Sequence, residues 1–155
     1  MKRIIVLSFS LLALSVSAWA QSPTTKKAPG ALDGKIYIIE VYEDGKTKKL
    51  GGEDDQLKFM TNKLTSTNFK GDWGFPASLY EGTVIDSTSE KHIIVFNCET
   101  KPNERGEILI WSGTVTGKDV EGTIDMQSKK GKTVKTFNFT GALKEKKVIK
   151  KTTEN

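Results

Sequence analysis

The chain has 155 residues, with 24 Lys and Arg against 19 Asp and Glu, one His and one Cys. One histidine and one cysteine are too few for a zinc ligand set, and a lone cysteine cannot form an intramolecular disulfide, so neither a metal nor any other cofactor is expected. The formal charge of +5 belongs to the chain ends, because residues 31–143 hold 15 basic and 17 acidic side chains, a net −2; with no basic excess on the folded body, a nucleic-acid partner is not expected.

Residues 1–20 carry Lys2 and Arg3, an apolar run from Ile4 to Val16, and Ala18-Trp19-Ala20 before Gln21. This is the pattern of a secretory signal, and Gln21 stands where a lipoprotein would need cysteine. The run is too short to span a bilayer comfortably and no second stretch of about 20 apolar residues follows, so no transmembrane segment is expected and the chain should work in the periplasm or outside the cell. Removing residues 1–20 leaves 135, room for one domain. Residues 21–31 are polar, contain Pro23 and Pro29, and read as a disordered linker. The domain is expected over 32–144, and residues 145–155 continue the lysine run begun at Lys144 as a solvated tail.

Within the domain the elements are short and β-rich. Residues 35–43 (KIYIIEVYE) are dense in β-branched and aromatic side chains and predict a strand, turned at Asp44-Gly45-Lys46. Residues 56–60 and 64–69 predict a hairpin around Thr61-Asn62-Lys63, with a helix of about 12 residues as the alternative, since Leu57, Met60 and Leu64 also fit helical spacing. Residues 70–76 (KGDWGFP) predict a loop. Its Trp73 and Phe75 either plug one end of a core or form a lid over a cavity mouth. Strands are expected at 78–86 and 90–100, joined through Ser87-Thr88-Ser89. Residues 106–143 read as three long antiparallel strands with turns at Gly117-Lys118-Asp119 and at 129–132.

Seven or eight sequential strands with short connections predict an all-β antiparallel meander, and closure into an eight-stranded up-and-down barrel removes its exposed edges; a β-sandwich is the alternative. Gly82, Gly113, Gly122 and Gly141 each sit inside a strand, where glycine suits sharp coiling or close backbone approach. Side-chain parity places these glycines on the inner face with Tyr80, Val84, Trp111, Val115, Val120, Ile124, Met126, Phe137, Phe139 and Leu143, and leaves Glu121, Thr123 and Asp125 outside.

The segment W-S-G-T-V-T-G-x-x-x-E-G-T over 111–123, K-G-K-T over 130–133 and F-x-G-x-L-K over 139–144 resembles small exported lipocalin-like (calycin-type) barrels of bacteria. The resemblance implies an eight-stranded barrel over most of residues 32–144 and a cavity for a small apolar ligand.

No residue pattern carries catalysis. His92 opens a β-rich run and reads as a strand-end surface residue; no G-x-S-x-G accompanies it. Cys98 lies in HIIVFNCET and reads as a small buried hydrophobe. The expected function is non-enzymatic binding of a small hydrophobic or amphipathic ligand, with Tyr80, Phe96, Trp111, Ile124, Met126, Phe137 and Phe139 as candidate lumen and Trp73 and Phe75 as a candidate lid. The alternative is an interaction module that binds protein, glycan or envelope surface through its outer face or its tail. A third possibility, a small isomerase or hydrolase using carboxylates such as Glu40 and Asp125, has no pair of groups that the sequence places within reach of each other.

Overall fold

A computed structural model describes residues 25–86 and 92–145; the expected export signal over 1–20, the Ser87-Thr88-Ser89 turn and the tail past Glu145 lie outside them. The described strands are β1 (Lys26–Lys27), β2 (Ile36–Glu43), β3 (Asp55–Met60), β4 (Lys63–Ser66), β5 (Ser78–Asp86), β6 (Ile93–Glu99), β7 (Ile108–Thr116), β8 (Asp119–Gln127) and β9 (Thr133–Leu143), with one helical turn, α1 (Thr67–Gly71), after β4. From β2 to β9 each strand pairs antiparallel with the next, and β9 returns to β2 through a register running from Tyr37↔Leu143 to Glu43↔Phe137. That last pairing closes eight strands into an up-and-down barrel and displaces the sandwich alternative, because no free sheet edge remains between β2 and β9. Among the described residues no helix is long and apolar enough to cross a membrane.

Alternation sorts the faces as period-2 patterning requires. In β2, for example, Tyr37, Ile39 and Val41 are buried and the residues between them are not. The interior is one cluster of aromatic and aliphatic side chains, from Leu32 and Tyr37 through Phe59 and Phe96 to Phe139.

Two expectations are corrected. The strand drawn over 64–69 stops at Ser66, and Phe69 sits on α1. The cause is a buried carboxylate: Asp55 accepts the Ser66 hydroxyl and the Asn68 N–H, while Ser66 Oγ accepts the Phe69 N–H at 3.1 Å as the helix N-cap. The 12-residue helix fails as well, because Thr61 and Asn62 both take the left-handed conformation (φ 54° and 58°), forming a two-residue hairpin turn that splits Leu57 and Met60 from Leu64. The second correction concerns the linker. Lys26 and Lys27 pair with Val84 and Thr83 of β5, so the ordered part of the domain begins before Leu32.

That N-terminal segment has a structural task. The β4–β5 seam has two register pairs, Lys63↔Leu79 and Leu64↔Ser78, and β1 covers β5 where β4 does not reach. Leu32 is fully buried; its N–H donates to the Tyr80 hydroxyl oxygen of β5 at 3.0 Å, and that hydroxyl donates to Asp33 at 3.1 Å. Asp33 in turn accepts the Asn62 N–H of the strained turn.

Candidate functional site

The interior is best read as rows that run across the strands. One row, in register order, is Val41, Phe139, Gly122, Gly113, Phe96 and Gly82. Glycine leaves room there for the rings: a Cβ on Gly113 would lie 2.6 Å from Phe96 Cε1 and 3.0 Å from Phe139 Cζ. The glycines therefore admit ring packing as well as coiling. The next row is Phe137, Ile124, Trp111, Cys98 and Tyr80. Adjacent rings touch throughout: Phe59 lies 5.1 Å from Phe96, Phe96 6.4 Å from Phe139, and Phe139 5.5 Å from Trp111.

All seven candidate lumen residues, Tyr80, Phe96, Trp111, Ile124, Met126, Phe137 and Phe139, come together inside the barrel and are 4% exposed or less. Beneath them, α1 and the loop after it close one end. Phe69 projects inward to within 5.6 Å of Trp111 and 5.4 Å of Phe137, Phe75 packs beside it, and Trp73 lies half-buried against Phe137 at 6.2 Å. Asn103 Nδ2 donates to the Trp73 carbonyl at 3.1 Å and Lys135 Nζ sits 5.4 Å over the Trp73 ring, which ties the loop to the neighbouring strands. The buried polar residues Asp55, Ser66, Ser78, Thr100 and Asn103 all lie at this end.

The other end is different. Its row is Gly141, Val120, Val115, Ile94 and Val84, with no side chain larger than isoleucine. Tyr37 is fully buried there, and its hydroxyl has no hydrogen-bond partner. Tyr37 was missed in the sequence because β2 shows no glycine row by which to sort its faces.

Burial pushes the Cys98 thiol from 9.0 up to about 12, and the Tyr37 and Tyr80 hydroxyls from 10.0 up to about 12. Between pH 9 and 12 the unfolded chain thus releases protons that the folded chain keeps, which favours unfolding. Stability is expected to be full below about pH 9 and to fall toward pH 12, Cys98 contributing first. Urea titrations across that range measure the effect. Cys98→Ala should flatten its lower part, and an identical slope in wild type and variant would show that the thiol titrates equally in both states.

The outer surface carries three further features. Met60, Lys63 and Leu79 form one outward row across β3, β4 and β5, with Met60 60% and Leu79 69% exposed. Lys58, Met60, Thr65, Thr67, Lys70 and Gly71 line a cleft of about 560 Å³ beside that row. Around the barrel, Ser112, Thr114, Glu121, Thr123, Asn138 and Thr140 line a hydroxyl-rich groove of about 490 Å³ on β7–β9. In the loop after β2, Lys49 Nζ bridges Glu40 (2.8 Å) and Asp54 (2.5 Å). The hydrogen bond from Lys49 holds the Glu40 carboxyl below its usual range, and the bond to Asp54 raises Lys49.

The residues considered for catalysis are not assembled. Across β9, the register neighbour of Glu40 is Glu121 rather than Asp125, and Asp125 accepts the Thr136 hydroxyl at 2.6 Å. His92 is exposed just ahead of β6. The acidic run 53–55 is divided, Asp54 bound to Lys49 and Asp55 buried under α1. No protein-family model matches the chain, and a search of curated proteins finds no match either.

Proposed function

We propose that this chain is a non-enzymatic interaction module, exported from the cytoplasm, in which a ring-filled barrel serves as a rigid scaffold and the outer face makes the contacts. The observation that carries this reading is the row Met60–Lys63–Leu79: beside the β3–β4 hairpin turn and across the β4–β5 seam, two large apolar side chains face solvent, while the interior side chains pack on one another. The export signal over 1–20 supports the location. Met60→Ser with Leu79→Ser should leave the urea midpoint nearly unchanged, since both side chains are exposed, yet lower retention of the purified chain on cell-envelope fractions by about fivefold or more. Equal retention of wild type and variant would remove the outer face from consideration.

A second reading, a small apolar ligand held inside, is favoured by the unpartnered Tyr37 hydroxyl and by the row Gly141, Val120, Val115, Ile94 and Val84 at that end of the barrel. It requires saturable one-to-one binding of a neutral apolar probe such as N-phenyl-1-naphthylamine together with a rise in Tm. A packed interior predicts neither.

A further inference from the structure

We infer that the partner of the β3–β4–β5 face is an anionic lipid surface. The inference rests on the outer-face reading and adds the chemistry of the partner.

The face combines two kinds of group that a lipid headgroup layer takes up together. Lys58, Lys63 and Lys70 come together on this face and make no ion pair among the described residues, and Glu81 on β5 is matched to Lys27 at 3.8 Å. Three ammonium groups left with water as their partner attract an anionic surface, at roughly fivefold in affinity per lysine near such a surface. Met60 and Leu79 stand on either side of Lys63 and are the right size to enter the boundary between headgroups and acyl chains. A soluble polyanion would use the lysines but give these two side chains nothing apolar to enter.

The test is co-sedimentation of the full chain with phosphatidylcholine vesicles, with and without about one third phosphatidylglycerol. Binding is expected to the anionic vesicles only, and to weaken steeply as salt rises from about 0.1 to 0.5 M, where screening shortens from about 10 Å to a few Å. Changing Lys58, Lys63 and Lys70 together to Gln should lower affinity on the order of 100-fold. Met60→Ser with Leu79→Ser, which leaves charge unaltered, should lower it about 10-fold, and Glu121→Gln should not lower it. Urea midpoints confirm that each variant is folded.

Three results would overturn the inference. The first is loss of binding when only the tail lysines are changed, with the face variants unaffected. The second is equal binding to neutral vesicles. The third is retention on envelope fractions without vesicle binding, which would leave the outer-face reading standing while removing lipid as the partner. Failure of both retention and vesicle binding would end the two together.

Discussion

Gly122→Ala is expected to destabilise the barrel by about 3 kcal/mol, although it adds one carbon. The added Cβ would overlap the Ser112 carbonyl oxygen and lie 2.7 Å from Gly113 Cα and 2.8 Å from Phe139 Cζ. Two of these three atoms are backbone of β7, so no rotamer change relieves the overlap; the paired strands must move apart and break their ladder. Gly141→Ala should behave alike, because its Cβ would overlap the Ile38 carbonyl oxygen and lie 2.7 Å from Ile39 Cα, at the β2–β9 pairing that closes the ring. Gly113→Ala meets mainly the Phe96 ring and should cost less, since a side chain can yield where backbone cannot. Gly71→Ala meets nothing within 4 Å in α1 and should be neutral or mildly stabilising. Urea midpoints at constant m give this ranking directly. A loss below about 1 kcal/mol for both Gly122 and Gly141 would mean that the strands approach less closely than described.

Truncating Phe69 to alanine is the second large effect, with an expected loss of about 3–5 kcal/mol. Phe69 is the hub of the closed end, with Trp111, Phe137, Trp73 and Phe75 rings 5.4 to 6.4 Å away. The loop that carries Trp73 is held by the Asn103 Nδ2 bond to the Trp73 carbonyl, which restrains it from collapsing into the space Phe69 leaves. The result should be a drop in Tm of roughly 10–20 °C and a red shift in tryptophan emission as water reaches Trp73 and Trp111. The variant also separates the two roles open to the 70–76 loop. A plug belongs to the core and carries this loss, whereas a lid would open with little change in stability and an unchanged Trp111 environment.

The three strands of 106–143 were legible because alternation is strict there and the turns carry glycine: the structure places β7, β8 and β9 inside the expected span, with Trp111, Ile124, Phe137 and Phe139 pointing inward. Strand β2 was legible as a strand from its density of β-branched and aromatic residues, but its faces were not. The region 55–71 was not. Asp55 follows Glu53 and Asp54 in a run of three carboxylates, yet it is 1% exposed and organises the cap that turns Ser66 into a helix start. A buried carboxylate with partners 11 and 13 residues away leaves no local pattern in the chain. The short β1 was hidden likewise, since a pair of lysines beside a proline becomes a strand only when β5 offers an unpaired edge.

The candidate site divides along the same line. Local alternation determines which side chains face inward, because each strand has only two faces and one of them must be apolar, so the sequence by itself determined the all-β meander and the inward rows of β5 and β7 to β9; closure of the ring, and the burial of Tyr37 and Asp55, came from the tertiary structure. The tertiary structure alone decided how that core is used. Ring-to-ring contact across β6, β7 and β9 depends on register and on glycines in neighbouring strands, and the row Met60, Lys63 and Leu79 draws one residue from each of three strands. Proximity of that kind is set by pairing between strands, and pairing is a property of the closed ring rather than of any one segment.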